Sequence, residues 1–286
     1  MRYLITGSSG QLAKCFAARF EIEGITFFAP PESSLDVTDQ NAIDLAVKES
    51  NPDVILNCAA FNAVDVAEDY PISAIAINST AVANLATACK KYGCLLVHYG
   101  TDYVFDGKGD KPYIESDAVN PINEYGKSKI AGEQALTNAG IDFLLLRVSW
   151  VYGRGTQNFL YKMQKWAQGK SSLNVVSDQI SVPTYTEDIV TYTLKSIEAG
   201  LKGLYHLTNS GYAARNEVAS LFFKELGRDI EILPVDSDAF PSPVSRPAFS
   251  AMNNAKLSQA LGLEIPSWED AIGRFCKHSR GCISVG

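Results

Sequence analysis

The sequence lacks several features by which broad classes of protein are recognised. It contains three histidines and six cysteines in 286 residues, and neither type follows a metal-ligand spacing or a Cys-x-x-Cys motif. We therefore expect no metal site, and we expect reduced thiols of the kind found in cytoplasmic proteins. The cysteines are Cys15, Cys58, Cys89, Cys94, Cys276 and Cys282.

Basic runs and long apolar runs are also missing. The formal net charge is −7, which argues against nucleic acid or an anionic membrane as a partner. No run of about 18 apolar residues is present, and a glycine turn interrupts the apolar N-terminus, so we expect neither a membrane span nor a signal peptide. A small anionic ligand stays compatible with this composition, because it needs only local donors.

What the chain does contain is an alternation of short apolar strands with helices. Strands are expected at 3–5, 25–29, 53–58, 95–99 and 143–148, and the helices between them include 71–91 and 121–138. Short links between such elements predict a doubly wound parallel α/β sheet of the Rossmann type.

This alternation also suggests how the chain divides. Residues 1–150 are expected to form a dinucleotide-binding Rossmann domain. Residues 151–286 are expected to form mainly a smaller C-terminal substrate-binding lobe, with a segment at about 173–200 returning to the first domain. Further helices are expected at 157–168, 186–198, 214–226, 253–261 and 267–278.

A glycine turn follows the first strand. Gly7 and Gly10 begin a Gly-x-x-Gly-x-x-Ala pattern, and such a turn lets a helix N-terminus approach a pyrophosphate. A tight turn without a ligand is the alternative, although its place at the start of an alternating chain favours a dinucleotide. The second strand ends with neither a clear acid for a ribose hydroxyl nor an arginine for a 2′-phosphate, so NADH and NADPH both stay open.

The strongest candidate for chemistry is a tyrosine–lysine pair in a predicted helix. Tyr125 and Lys129 are four residues apart, which places both on one helix face, and the ammonium is expected to lower the pKa of the phenol. Tyr161 and Lys165 have the same spacing, so spacing alone also fits a solvated face. The first pair is favoured because it comes just after a strand ending at Thr101, whose hydroxyl can reach a bound carbonyl.

Several motifs together resemble one family. They are GSSGQL, NCAAFNAVDVAE, VHYGTDYVFDG, PINEYGKSKIAGE, RVSWVYG, DQISVPT and the late SRP. From residue 1 to about 275 the chain resembles the dTDP-4-dehydrorhamnose reductases, which are extended short-chain dehydrogenase/reductases. The resemblance implies reduction of dTDP-4-dehydro-6-deoxy-L-mannose to dTDP-L-rhamnose by NADPH or NADH, the last step of dTDP-rhamnose synthesis. The alternatives are a reductase of another nucleotide-linked 4-keto sugar and a non-catalytic dinucleotide-binding regulatory subunit.

The resemblance also implies roles for individual residues. Tyr125 would donate the proton, Lys129 would hold the nicotinamide ribose, and Thr101 would polarise the ketone. The residues expected to bind the dinucleotide are Gly7, Gly10, Gln11, Leu12, Asp36, Val37, Ala59, Ala60, Asn62, Tyr99, Tyr125 and Lys129. Those expected to bind the sugar nucleotide are Thr101, Asp102 and Trp150. Arg246 is a fourth candidate, because a guanidinium group suits a diphosphate.

Some of these residues have structural alternatives. Asp36 equally fits a role in a turn or as a helix cap. Trp150 equally fits a rigid wall between the lobes, and Arg246 can instead form an ion pair with a carboxylate. Asp178 and Gln179 are expected to hold the lobes together. The alanine-rich helix 71–91 allows a homodimer face.

The chain departs from the family pattern at three positions. Gly100, Asn62 and Ser181 stand where members often have serine, threonine and glycine. The first two are expected beside the cofactor, so they bear on how it fits.

Overall fold

The computed structural model describes residues 1–279 of the chain. Its strands are β1 (Tyr3–Thr6), β2 (Phe27–Phe28), β3 (Val54–Asn57), β4 (Leu95–Thr101), β5 (Phe143–Val148), β6 (Val151–Tyr152), β7 (Ser172–Val176), β8 (Ile180–Ser181), β9 (Thr184–Tyr185), β10 (Gly203–His206), β11 (Ala213–Ala214) and β12 (Glu231–Val235). Its α-helices are α1 (Gln11–Glu23), α2 (Gln40–Ser50), α3 (Val64–Asp69), α4 (Pro71–Ile75), α5 (Ala81–Tyr92), α6 (Glu124–Asn138), α7 (Phe159–Trp166), α8 (Thr186–Glu198), α9 (Arg215–Leu226), α10 (Ala255–Leu261) and α11 (Trp268–Ser279). A π-helical turn, Ala76–Thr80, joins α4 to α5, and 3-10 turns lie at Asp102–Val104 and Ser237–Ala239.

A six-stranded parallel sheet forms the centre of the fold, in the order β2-β1-β3-β4-β5-β10. The predicted doubly wound Rossmann-type sheet is therefore confirmed. The chain runs from β1 outward to β2 and then returns to β3 on the other side of β1. The carboxyl ends of β1 and β3 thus border a topological switch point, where open α/β sheets bind their ligands.

Helices cover both faces of this sheet. Helices α1 and α8 pack on one face, and α2, α5 and α6 pack on the other. Burial on both sides explains why β1, β3 and β5 read as continuous apolar runs rather than alternating ones. Aromatic side chains of α1, Phe16 and Phe20, are fully buried beneath β1.

Polar caps determine where several helices begin. Asp39, Asn123 and Asn158 cap α2, α6 and α7, and each side chain accepts a hydrogen bond from a backbone N–H two or three residues further on. Such caps satisfy donors that the first helical turn leaves unpaired. The helix predicted at 121–138 consequently begins at Glu124, because Asn123 has extended backbone and serves as its cap.

The smaller lobe is built from pairs of short strands. Strand β7 pairs with β12, β8 with β11, and β6 with β9, while α7, α9 and α11 pack around them. The chain also returns to the large sheet, since β10 pairs with β5 and the buried residues of α8 pack with those of α1. Strand β10 lies beyond the segment 173–200 expected to return, and the domain boundary at residue 150 stays a prediction.

One helical stretch within residues 1–279, Pro71–Tyr92, is long and apolar enough to cross a membrane by length and composition. Its mean hydropathy is 1.4 over the most apolar window, 44% of which is buried inside the protein. Val82, Leu85 and Ala86 pack in the core against the sheet. The α5 part of this stretch therefore belongs to the core on the sheet's second face.

The described cysteines are not joined by disulfides. Cys89 and Cys94 are buried, with their Sγ atoms 3.4 Å apart. Cys282 lies outside the described residues. Within residues 1–279, no group of three His, Cys, Asp or Glu side chains is placed to hold a metal ion.

Candidate active site

The predicted tyrosine, lysine and threonine lie together at the carboxyl end of a central strand. Thr101 is the last residue of β4, and its hydroxyl accepts a hydrogen bond from the Tyr103 N–H at 3.3 Å. Tyr125 lies on the first turn of α6, where the Thr101 side chain is close enough to lower the pKa of its phenol. The Tyr103 ring meets the Tyr125 ring edge-on, with centroids 5.7 Å apart. A phenol and an aliphatic hydroxyl therefore lie close together at the carboxyl end of β4.

Lys129 lies one turn further along α6 and is 2% exposed. Its Nζ donates a hydrogen bond to the Tyr99 carbonyl oxygen at 2.6 Å. Burial lowers the pKa of Lys129 to about 8, and the negative charge of Glu133 opposes this shift. The ammonium group is thus retained at neutral pH by a small margin.

The expected lowering of the Tyr125 pKa is wrong. Burial raises the pKa of Tyr125, and this effect exceeds the lowering caused by the hydrogen bond with Thr101. Lys129 is not among the groups that shift it, because its ammonium is directed at the Tyr99 carbonyl. The phenol consequently stays protonated at neutral pH, which is the state required of a proton donor.

The glycine turn brings the ends of β1 and β3 into contact. Gly7 has a φ of 62°, and a Cβ atom at this position would lie 2.7 Å from the Ala59 Cα and N. Gly10 precedes α1, whose N-terminus has no side-chain cap. Unpaired N–H groups at a helix N-terminus bind phosphates. These residues therefore fit the pyrophosphate of a dinucleotide.

Other residues predicted along the dinucleotide differ in their accessibility. Ala59 and Ala60 are partly exposed and Asn62 is exposed, all just after β3. The Asp36 carboxylate accepts hydrogen bonds from the Thr38 N–H and hydroxyl at 2.8 and 2.7 Å. Asp36 thus adopts the turn role that its sequence equally allowed, while its side chain stays exposed.

Four further predicted dinucleotide residues lie partly or wholly within the protein. Gln11 donates from Nε2 to the Val151 carbonyl oxygen at 3.2 Å, which links α1 to the start of the smaller lobe. Leu12 and Val37 pack with core residues, and Tyr99 is 6% exposed. Tyr99 therefore contributes its carbonyl group to Lys129 rather than an accessible ring.

Asn78 is a residue of this region that the sequence reasoning missed. Its Oδ1 accepts from the Phe61 N–H at 2.9 Å, and its Nδ2 donates to the Ser128 hydroxyl at 2.9 Å. It therefore ties the loop after β3 to α6, which carries Tyr125 and Lys129. The available signal was an asparagine within the alanine-rich helix, at a position that proved to be 1% exposed.

Asp102 does not face the cleft as predicted. Its carboxylate is 2% exposed and accepts hydrogen bonds from the hydroxyls of Ser181 at 2.9 Å and Ser250 at 2.6 Å. The Thr101 hydroxyl also donates to it at 3.3 Å. Because its oxygens are enclosed by protein donors, the expected sugar contact is not supported; the carboxylate instead joins β4 to the smaller lobe.

The remaining predicted substrate residues lie where the two lobes meet. Trp150 has a φ of 37°, and its ring lies 4.1 Å from the guanidinium carbon of Arg215. Arg246 forms a salt bridge with Asp65 at 2.5 Å, which is the carboxylate alternative stated for it. Arg215 was missed because its sequence position, at the start of a predicted helix, indicates only a solvated first turn.

Asp178 and Gln179 form hydrogen bonds with residues further along the chain. Asp178 accepts hydrogen bonds from the Ser237 N–H and hydroxyl. Gln179 donates to the Ser237 hydroxyl and accepts from Arg215. All of these bonds lie within residues 178–237, and whether they join the two lobes depends on the domain boundary, which stays a prediction.

Gly100, which stands where serine is frequent in the resembled family, is crowded by an ion pair. A Cβ atom there would lie 2.5 Å from the Glu133 Oε1 and 2.8 Å from the Arg147 Cγ. Glu133 and Arg147 form a buried salt bridge at 2.7 Å, with both side chains 4% exposed. The ion pair occupies the space into which a side chain at position 100 would extend.

Comparison with known proteins finds relatives over nearly the whole chain. The family model described as RmlD substrate binding domain matches residues 1–280. A dTDP-4-dehydrorhamnose reductase of Sinorhizobium fredii is 37% identical over 288 residues, covering 96% of this chain and 96% of the relative.

Two solved structures of the same description are similar in fold. A dTDP-4-dehydrorhamnose reductase of Clostridium acetobutylicum has a TM-score of 0.94 at 31% identity, covering 98% of this chain and 100% of the other. That of Bacillus anthracis, solved in complex with NADP, has a TM-score of 0.93 at 34% identity, covering 97% and 99%.

Proposed function

Since the chain belongs to the RmlD substrate binding domain family, we propose that it is an NAD(P)H-dependent reductase of dTDP-4-dehydro-6-deoxy-L-mannose, which it converts to dTDP-L-rhamnose. One observation carries this proposal: Thr101 ends β4, the Tyr125 phenol is close enough for the Thr101 side chain to lower its pKa, and Lys129 lies one turn further along α6. This is the arrangement needed to receive a carbonyl oxygen and protonate it.

The mechanism assigns one task to each of the three side chains. A bound reduced nicotinamide supplies the hydride for the sugar C4. With substrate bound, the Thr101 hydroxyl would turn its single proton from the Asp102 carboxylate to the C4 ketone oxygen, and Tyr125 would transfer its hydroxyl proton to that oxygen as negative charge develops. Lys129, whose ammonium is held by the Tyr99 carbonyl oxygen, would hold the nicotinamide ribose. Positioned acid catalysis of this kind is worth about 10²–10⁴-fold.

The dinucleotide is proposed to lie across the switch point, from the α1 N-terminus to Lys129. Gly10 and the α1 N-terminus would hold its pyrophosphate, while Ala59, Ala60 and Asn62 would line its path after β3. The NADP complex of the Bacillus anthracis relative supports a phosphorylated dinucleotide. NADH stays a second candidate, because no arginine follows β2 to bind a 2′-phosphate.

The proposal is tested by following NADPH and NADH oxidation with dTDP-4-dehydro-6-deoxy-L-mannose. The substrate is generated from dTDP-glucose by the upstream dehydratase and epimerase. We expect Tyr125→Phe to lower kcat by at least about 100-fold through loss of the proton donor, with NADPH affinity nearly unchanged. Tyr161→Phe is the matched control, because Tyr161 has the same spacing to a lysine on α7 but lies away from β4.

The outcomes separate the proposed reaction from its alternatives. Near-normal turnover in Tyr125→Phe would contradict the assignment of the proton donor. If the wild-type protein binds NADPH but leaves this sugar unreduced, other nucleotide-linked 4-keto sugars are tested next. A protein that reduces none of them but alters a partner enzyme's kinetics would be the regulatory subunit instead.

We also propose a homodimer formed through α3 and α4. Val66, Tyr70, Ile72 and Ile75 are 43%, 60%, 83% and 45% exposed, which is high for neighbouring apolar side chains. Sedimentation equilibrium of the wild type and of Ile72→Glu tests this, and a wild-type monomer would contradict it.

The acidic composition and reduced thiols favour a cytoplasmic location, which cell fractionation tests.

A further inference from the structure

Two arginines from distant parts of the chain meet beside the proposed proton donor. Burial raises the pKa of the Tyr103 hydroxyl, and the guanidinium groups of Arg215 and Arg246 both lower it. The Tyr103 ring in turn lies edge-on against Tyr125. Arg215 also packs on Trp150, which lies two residues beyond Val148, the β5 partner of Thr101, so its guanidinium lies at the end of the sheet that carries the proposed site.

Arg215 is held rigidly in this position. Its guanidinium lies 4.1 Å from the Trp150 ring centroid and 5.2 Å from that of Phe159, and its Nε donates to the Gln179 Oε1 at 2.9 Å. These contacts orient the planar group without neutralising it. A guanidinium fixed between aromatic rings keeps its other donors available in a defined plane.

The charge of Arg215 is not balanced by a direct partner. Arg246 has Asp65, whose side chain is 60% exposed, but none of the ion pairs formed by residues 1–279 includes Arg215. Burial and the positive charge of Arg246 lower the pKa of Arg215, and they outweigh the raising effects of Tyr103 and of the buried Asp102 carboxylate. Two like charges brought together in a cleft favour an anion that contacts both.

We propose that Arg215 binds the diphosphate of the sugar nucleotide together with Arg246, and so sets the distance between the sugar C4 and Tyr125. This inference rests on the proposed function, because it takes the ligand to be a nucleoside diphosphate sugar. C4 and the anomeric carbon lie on opposite sides of the pyranose ring. With C4 at Tyr125, the diphosphate therefore lies about one ring away, on the side where the two arginines meet.

The Arg215 stack also limits how Trp150 contacts the ligand. The guanidinium covers one face of the indole, so only the other face and the edge remain for the sugar. Arg215 would then order Trp150 and bind phosphate with the same planar group. Lysine cannot reproduce both contacts, because its ammonium is neither planar nor forked.

The test measures binding of dTDP by isothermal titration calorimetry, with thymidine as a probe that lacks phosphate. We expect Arg215→Met to weaken dTDP binding by at least about tenfold, since a charge-assisted bidentate contact is lost. Thymidine binding should change by less than about twofold. Arg215→Lys should fall between Arg215→Met and the wild type.

Arg228→Met is the matched control. Arg228 also lies over an aromatic ring of the smaller lobe, with its guanidinium carbon 5.5 Å from the Phe223 centroid, and donates to the Ala167 carbonyl oxygen. Because both of these contacts are with residues packed inside the smaller lobe, its loss should leave dTDP binding unchanged. Thermal unfolding and NADPH binding show whether each variant is folded, and Arg215→Lys supplies the comparison if Arg215→Met does not fold.

The outcomes distinguish this inference from the proposed function. If the wild type reduces the sugar but Arg215→Met or Arg215→Lys binds dTDP as tightly as the wild type, the inference is overturned and the function stands. If the sugar is not reduced but dTDP, UDP or GDP binds in an Arg215-dependent manner, the function fails and the inference stands. Binding of none of these nucleotides to the wild type overturns the inference.

Discussion

Lys129 carries its charge inside the protein, and this determines how the site responds to pH. Its pKa is lowered from an ordinary value of 10.5 to about 8 by burial. Because the folded state binds the proton less tightly than the unfolded chain, the buried charge reduces stability at low pH. Between about pH 8 and the ordinary value, the unfolded chain holds more protons, so this group's contribution to the unfolding free energy rises with pH.

We predict that kcat/KM falls above about pH 8, with a slope approaching tenfold per pH unit, because the ammonium is lost there. Tyr125 does not cause this decline, since burial raises its pKa. The pH profile of NADPH oxidation is measured beside thermal unfolding at each pH. Above about pH 8, activity should therefore fall while the contribution of Lys129 to the unfolding free energy rises. A flat profile to about pH 9.5 would show that the charge of Lys129 is dispensable.

At the scale of single residues, the sequence indicated which side chains meet but not what each is bonded to. The spacing of Tyr125 and Lys129 and the strand ending at Thr101 were sufficient to bring the three together. The Lys129 ammonium points towards the Tyr99 carbonyl oxygen. Tyr99 lies on β4, 30 residues before Lys129, so no local pattern shows that the two meet. The Tyr125 pKa depends on how far the whole fold removes this partly buried phenol from water, which no local pattern expresses.

The crossing of α6 with the π-helical turn Ala76–Thr80 is the contact between elements that most closely controls the site. Gly132 lies where a Cβ atom would be 2.0 Å from the Asn78 carbonyl oxygen. The helices can approach this closely only because the glycine has no side chain. The approach in turn lets the Asn78 side chain reach both Ser128 and the loop after β3.

We predict that Gly132→Ala lowers the unfolding free energy by about 1–3 kcal/mol, since overpacking forces the backbones apart. Gly273→Ala is the matched control within α11, because a Cβ there has only the Glu225 Oε2 at 3.8 Å. That change should raise the unfolding free energy by about 0.5–1 kcal/mol, as expected for alanine in a helix. Urea unfolding measures both variants, and a Gly132→Ala protein as stable as wild type would contradict the argument.

Elements of the large sheet were easier to predict than those of the smaller lobe. Strand β5 and helix α8 were expected at 143–148 and 186–198, and both have these bounds. Their sequences carry the signal themselves, through continuous apolar burial and helical periodicity. The two-residue strands β6, β8, β9 and β11 exist only through tertiary pairing. Strand β12 was missed because Pro234 argues against a strand, although proline is tolerated where a strand forms an edge.

At the scale of the whole molecule, the two lobes are joined by side chains that no short motif brings together. Ser181 and Ser250 donate to Asp102 from the C-terminal half, and Asn123 donates from Nδ2 to the Ser245 carbonyl oxygen. The fold class followed from the order of elements alone. The interface between the lobes could not be predicted in this way, because Ser181 and Ser250 lie 79 and 148 residues beyond Asp102 in the sequence.

The bonds at Asp102 couple the position of the smaller lobe to the end of β4. The carboxylate is buried, so its charge depends on the two serine hydroxyls for hydrogen bonds. It also accepts from the Thr101 hydroxyl, which is proposed to bind the ketone. Movement of the smaller lobe would therefore change the orientation of Thr101.

We predict that the double variant Ser181→Ala/Ser250→Ala lowers the unfolding free energy by about 3 kcal/mol or more, since hydrogen bonds to a buried charge are worth about 1.5–3 kcal/mol each. It should also lower kcat/KM for the sugar nucleotide while leaving NADPH affinity nearly unchanged, because the proposed cofactor residues lie on the other lobe. Ser196→Ala is the matched control, as Ser196 is buried and donates within α8 alone. If the double variant unfolds and turns over like this control, Asp102 does not couple the lobes to the site.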